Sequence, residues 1–129
     1  MNKENKLIPG LPSGFEDRWN KKLSLKKKLI RAIENNFIKY GFDPLETPSF
    51  EISENIGSFL ANDDANPMSD VFSFNDGDKQ ITLRYDLSSP LARFVAQNNQ
   101  ELTLPYKRYA IQNVFRNEKA GNARYREFT

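Results

Sequence analysis

Between Arg18 and Tyr40 the chain places Leu25, Leu29, Ala32, Ile33, Phe37 and Tyr40 at steps of three and four residues, so they fall on one face of a helix. Gly41 follows directly, where a residue with positive φ ends a helix cheaply. Beyond it, Phe42-Asp-Pro-Leu-Glu-Thr-Pro48 cannot continue the helix, because Pro44 and Pro48 each remove a backbone donor. This segment reads as an extended edge strand. A long amphipathic helix, a sharp stop and an extended run thus fix the first third of the fold, after a turn-rich lead-in holding Pro9, Gly10, Pro12 and Gly14.

The remaining pattern alternates strands and short helices. Phe50 to Leu60 reads as a short helix, and Ala61 to Asp70 as a polar, turn-prone and mobile stretch. Val71–Phe74 and Gln80–Arg84 flank Asn75-Asp-Gly-Asp78, which predicts a β-hairpin. Ser88-Ser89-Pro90 predicts a capping residue followed by proline at the first helical position, with Leu91, Phe94 and Val95 as the stripe of a helix to about Asn98. Tyr106 to Arg116 is β-rich, and Arg124 to Thr129 reads as its returning partner. The order implies one α+β domain with an antiparallel sheet flanked by helices, and 129 residues suffice to bury a core.

Composition mainly excludes. With no cysteine and no histidine, the chain has no disulfide, thiolate nucleophile, Ser-His triad or His-ligated zinc site. Chemistry must then rest on Arg, Asp/Glu, Ser/Thr, bound metal or the substrate itself. A net charge of +2 does not by itself make a nucleic-acid binder. The dense run Lys21, Lys22, Lys26, Lys27 and Lys28 reads as a solvated helix face. The polar start Met1-Asn-Lys-Glu-Asn-Lys6 carries no signal peptide, and no stretch nears the ~18 apolar residues of a membrane span, so a cytoplasmic location is expected.

The last fifteen residues, Phe115 to Thr129, set Arg116, Glu118, Arg124, Arg126, Glu127 and Phe128 around a Lys-Ala-Gly-Asn-Ala turn. Arginine forks bind phosphate oxygens bidentately, a carboxylate accepts from an exocyclic amine, and a phenylalanine face can stack on a base. By strand alternation Arg124, Arg126 and Phe128 share a face, with Tyr125 and Glu127 opposite. One reading is a clamp for a nucleoside triphosphate. The other is an exposed hairpin with cross-strand Arg–Glu pairs, each contributing under about 1 kcal/mol. Asp86 and Ser88, at a strand end leading into a helix, suit an ammonium group, or they cap that helix. Ser89 reads as a cap. Thr129 falls inside the strand–loop–strand unit, so a truncated protein is expected.

These residues carry a resemblance. Phe115-Arg-Asn-Glu118, a short loop and Arg124-Tyr-Arg-Glu-Phe128 resemble motif 2 of class II aminoacyl-tRNA synthetases in the histidyl version. Tyr40-Gly-Phe-Asp-Pro-Leu-Glu-Thr-Pro48 after a long helix resembles motif 1, with Pro48 at its characteristic proline, and Gly14-Phe-Glu-Asp17 resembles the N-terminal Gly-x-x-Asp signature. Thr82-Leu-Arg-Tyr-Asp-Leu-Ser88 resembles the strand that carries the amino-acid-binding Glu and Thr. Where the commonest family strand reads Pro-Glu-Gly-Thr, this chain has Tyr85-Asp86-Leu87-Ser88, similar to a bacterial subgroup. The resemblance runs nearly end to end with the motifs in order: motif 1 at about 25–50, the amino-acid strand at 80–88 and motif 2, incomplete, at about 107–129.

The resemblance implies a partial catalytic domain of a histidine–tRNA ligase, an enzyme that activates histidine with ATP and transfers it to tRNA(His). Arg116 would contact the α-phosphate of ATP and the histidine carboxylate, and stabilise charge as the adenylate forms. Glu118 would take the adenine amino group, Arg124 the outer phosphates, and Phe128 would stack on adenine. Asp86 would take the histidine α-amino group, with Ser88 in the place of a supporting threonine. ATP is implied as substrate with Mg2+ accompanying it, no protein-bound metal is expected, and motif 1 implies a homodimer. Motif 3, the histidine-specific loop and the anticodon-binding domain are absent from these residues, so the fragment alone is expected to be inactive. Two rivals share the pattern: a regulatory subunit of ATP phosphoribosyltransferase, which binds histidine without activating it, and an uncharged-tRNA-sensing module. Having Arg116, Glu118, Arg124 and Phe128 together argues for ATP handling.

Overall fold

The computed structural model describes residues 8–60 and 70–129. Helix α1 spans Asn20–Lys39. It ends as the sequence predicts, with Gly41 at φ 74°. The Gly41 N–H donates to the Ile38 carbonyl and the Phe42 N–H to the Phe37 carbonyl, both at 3.0 Å. Those two bonds satisfy carbonyls that the helix end would otherwise orphan. The Phe37 and Phe42 rings meet across the turn at 5.6 Å, and Phe37 stacks on Tyr109 at 5.1 Å.

The inward stripe of α1 shares only Phe37 with the predicted one. Leu23, Ile30 and Phe37 are half-buried, whereas Leu25, Leu29 and Tyr40 are 66%, 62% and 67% exposed. The helix therefore has two apolar faces, one against its own domain and one open.

After the turn, strand β1 (Asp43–Pro44) pairs in parallel with β5 (Arg108–Tyr109). Asp43 and Leu45 donate to the carbonyls of Lys107 and Tyr109, so the donor Pro44 lacks falls on the unpaired side. The predicted helix from Phe50 begins only at Ser53. Residues Phe50–Ile52 form strand β2 and Ser53–Leu60 helix α2. Tertiary packing overrides local preference here: the side chain of Glu51 is buried and held bidentately by Arg93 at 2.7 and 2.8 Å, and Phe50 meets Phe74 edge-on at 5.5 Å. Residues 61–69 of the stretch expected to be mobile lie outside the described residues.

Strands β3 (Ser73–Asn75) and β4 (Gln80–Leu83) form the predicted hairpin, and β4 lies at the centre of an antiparallel sheet ordered β2-β4-β3. Its turn is held by Asp76, which accepts the N–H groups of Asp78 and Lys79. Helix α3 spans Ser88–Asn98, beginning two residues before Pro90 rather than at it. Strands β6 (Val114–Phe115) and β7 (Glu127–Phe128) make the last antiparallel pair. The α+β class and the antiparallel sheet hold, with the β1–β5 pair as a parallel addition. The core is small and partly polar: Ile56, Val71, Tyr109 and Val114 are joined by buried Glu51, Ser53, Thr82 and Arg84.

Candidate nucleotide and amino-acid site

Arg84 aligns the pieces that frame the site. Its guanidinium is buried and donates to the Asn113 carbonyl at 2.5 Å and to the Thr47 carbonyl at 2.8 Å. Burial pulls its pKa down, against the opposing pull of Glu46 and Glu51. Its own carbonyl accepts the Phe115 N–H at 3.0 Å. One side chain thus draws the segment after β1, the end of β4 and the start of β6 together, and β4 delivers Tyr85 beside Arg116.

The β6–β7 unit encloses a cleft of about 440 Å³, lined by Arg116, Glu118, Ala123, Arg124, Tyr125 and Phe128. All four nucleotide-site residues predicted in this unit meet there. The Arg116 guanidinium lies 4.4 Å from the Tyr85 ring centre and 5.3 Å from that of Phe128, a position in which both ring faces attract the cation. Its Nε is buried without a hydrogen-bond partner among the described residues. Glu118 accepts a hydrogen bond from the Tyr85 hydroxyl at 3.0 Å and pairs with Arg124 through its other oxygen. Arg124 first, and Tyr85 second, hold the Glu118 carboxyl below the usual carboxylate range. The Arg124 side chain is 63% exposed, so this pair spans the mouth of the cleft rather than its floor. Such a pair contributes little to stability and yields readily to a ligand.

Arg126 is the exception to the predicted shared face. Residues 124–126 lie outside the β6–β7 ladder, so strand alternation does not govern them. Arg126 packs over the Phe72 ring at 4.7 Å, donates to the Ser13 carbonyl at 3.3 Å and bonds the Asn117 side-chain oxygen. Its backbone N–H donates to the Gly14 carbonyl at 2.8 Å. Tyr125, predicted to face away, lines the cleft instead.

Asp86 and Ser88 do not line this cleft. One Asp86 carboxylate oxygen accepts the Ser89 backbone N–H at 3.0 Å, so of the residues the sequence offered as caps it is Asp86 that takes the role. Ser88 is exposed in the first turn of α3. Sequence reasoning missed Tyr85, which touches two cleft residues at once. The available signal was an aromatic residue beside Asp86 at the end of a strand. Among the described residues no group of three or more His, Asp or Glu side chains converges to hold a metal ion.

The chain is similar to known proteins over nearly its whole length. The family described as "tRNA synthetases class II core domain (F)" matches residues 14–129. The histidine–tRNA ligase of Pelagibacter ubique (strain HTCC1062) is 84% identical over 128 residues, 99% of this chain and 28% of that protein. That of Rhizobium meliloti (strain 1021) is 46% identical over 127 residues, 98% of this chain and 25% of that protein. The crystal structure of histidyl-tRNA synthetase from Nostoc sp. PCC 7120 superposes with a TM-score of 0.74 at 28% identity, over 92% of this chain and 26% of that one. A Bacillus halodurans C protein described as an ATP phosphoribosyltransferase regulatory subunit/histidyl-tRNA synthetase gives 0.75 at 26% identity, over 99% of this chain and 32% of that one. The chain spans about a quarter of the length of these curated relatives. With the family pattern running from Gly14 through the cleft to Thr129, the chain belongs to the class II tRNA synthetase core-domain family.

Proposed function

We propose that this chain is part of a histidine–tRNA ligase and that the β6–β7 cleft is where ATP is held during histidine activation. The observation that carries this reading is the seat of Arg116, against the rings of Tyr85 and Phe128 at a cleft that also presents Glu118 and Arg124. In the reaction a histidine carboxylate oxygen forms a bond to the α-phosphorus as the bond to the pyrophosphate oxygen breaks. A hydroxyl of the terminal ribose of tRNA(His) then takes the histidyl group as an ester, the acyl–phosphate bond breaks and AMP leaves. The nucleophile is the substrate's own carboxylate, so the protein needs no histidine or cysteine and acts by positioning and by neutralising charge. Arg116 meets the α-phosphate and the histidine carboxylate, Arg124 the outer phosphates, Glu118 the adenine amino group and Phe128 the adenine face. Nucleotide entry separates Glu118 from Arg124, freeing each for its part of ATP. Asp86 reaches the histidine ammonium with the carboxylate oxygen that does not cap α3, and Ser88 stands beside it. Mg2+ belongs to the nucleotide substrate, carried on its phosphates.

The open face of α1 supports a homodimer. Leu25, Leu29, Ile33 and Tyr40 form an exposed apolar strip on the helix, and β1 is exposed as well, the two elements that the motif 1 resemblance assigns to a second subunit. Leu29→Glu in the complete gene product should halve the mass seen by light scattering. No helix among the described residues is long and apolar enough to cross a membrane, and a cytoplasmic ligase is the location that fits this activity.

Histidine-dependent exchange of labelled pyrophosphate into ATP by the complete gene product tests the reading. Exchange, followed by charging of tRNA(His), is expected. Histidine binding without exchange would favour the regulatory subunit instead, and the gathering of all four nucleotide residues in one cleft weighs against that rival.

A further inference from the structure

Tyr85 lies two residues past β4, in the segment that leads to Asp86, yet both its contacts reach across to the nucleotide side. Its ring covers the Arg116 guanidinium at 4.4 Å, and its hydroxyl donates to Glu118 at 3.0 Å. We propose that Tyr85 is the positioning residue of this site, holding Arg116 flat with its ring and aiming the Glu118 carboxylate with its hydroxyl. The inference rests on the ligase reading for its kinetic consequences, but not for its geometry.

The physical case has three parts. Arginine loses several rotors when it is fixed, and a guanidinium whose Nε is buried without a partner has no hydrogen bond there to define its plane. Two ring faces supply that definition, and only the Tyr85 ring comes from outside the β6–β7 unit. Glu118 follows β6 and borders a loop with Ala123 at φ 58°, so its carboxylate needs an anchor from outside that loop. The Tyr85 hydroxyl is that anchor. Burial first, and the bond to Glu118 second, push the hydroxyl's pKa up, so it remains a donor throughout the working pH range. Because Asp86 is the next residue, one backbone segment sets both the ammonium contact and the planes of the nucleotide contacts. Histidine and ATP are thereby held in register.

The two functions of the side chain separate by substitution. In the complete gene product, Tyr85→Phe keeps the ring and removes the hydroxyl. KM for ATP should rise about tenfold, the preference for ATP over GTP should narrow, and kcat should fall by less than about threefold. Tyr85→Leu removes both, and kcat should fall about a hundredfold. Crystal structures of the two variants give a readout independent of catalysis: Arg116 should stay in place in Tyr85→Phe and leave its plane in Tyr85→Leu. Unchanged KM for ATP in Tyr85→Phe, or an unmoved Arg116 in Tyr85→Leu, overturns the proposal. If Tyr85→Leu does not fold, the KM and nucleotide preference of Tyr85→Phe decide alone. A wild-type protein without exchange, but with Arg116 displaced in Tyr85→Leu, would refute the ligase reading and leave the positioning role standing.

Discussion

The two sides of the β6–β7 unit use the same residue type in opposite ways. On one side Arg126 is enclosed: Phe72 covers it, Ser13 and Asn117 accept from its two terminal nitrogens (its Nε, like that of Arg116, has no partner among the described residues), and Gly14 packs against its stem. On the other side Arg116 is oriented but left chemically open, since the described residues offer its guanidinium two ring faces and no side-chain hydrogen-bond acceptor. An arginine supplied with carbonyl and amide acceptors serves as a fastener. One supplied only with rings keeps its donors for an incoming anion. The lead-in segment around Gly14 is stitched on by the first kind, and the cleft is built from the second.

The largest expected loss of stability comes from breaking the enclosed side at its tightest point. A Cβ at Gly14 would stand 2.5 Å from Arg126 Cγ and 2.6 Å from Cδ, at a φ of 82° that side chains rarely adopt. Gly14→Ala should therefore destabilise the protein by about 2–4 kcal/mol, read as a shift in the denaturant midpoint. Arg126→Ala removes the fastener without the clash and should destabilise by about 1–3 kcal/mol by the same measurement.

Glu118 sharpens the contrast from the open side. Its folded-state pKa is depressed below the ordinary 4.5, so its stabilising contribution is complete above that value and is lost as pH falls through the lowered one. Between wild type and Glu118→Gln, the difference in stability should thus be constant near neutral pH and shrink only below about pH 4.5. A difference that changed between pH 6 and pH 8 would show that another group controls the pair. The smallest effect is expected at Gly121, in the loop of the cleft. A Cβ there meets only Arg124 Cβ at 4.0 Å, and Gly121→Ala should change stability by less than about 0.5 kcal/mol.

Much of this was legible in the sequence, for identifiable reasons. Gly41 after an apolar-periodic run is a local signal, and the two hydrogen bonds at the end of α1 are local too. The β3–β4 hairpin was readable from Asn75-Asp-Gly-Asp78, whereas the set Arg116, Glu118, Arg124 and Phe128 came from the resemblance to motif 2, residue types alone having offered Arg126 as well. What was not legible depends on contacts distant in sequence. Phe50–Ile52 is a strand because Arg93, 42 residues from Glu51, neutralises a buried carboxylate. Arg126 leaves the predicted face because it is claimed by residues 13 and 14. The second apolar stripe of α1 was overlooked because Leu23 and Ile30 are interleaved with lysines that the composition assigned to solvent. Tyr85 was passed over because its two partners lie more than thirty residues away, at 116 and 118.

The most direct test is to compare Arg116→Ala with Arg126→Ala in the complete gene product, recording histidine-dependent pyrophosphate exchange and the denaturant midpoint for each. The account predicts that Arg116→Ala keeps its midpoint within about 1 kcal/mol of wild type and loses exchange by roughly 10²–10³-fold. It predicts that Arg126→Ala shifts its midpoint while the folded fraction still exchanges. A folded Arg116→Ala protein with near-normal exchange, or an Arg126→Ala protein of unchanged stability that cannot exchange, would contradict it.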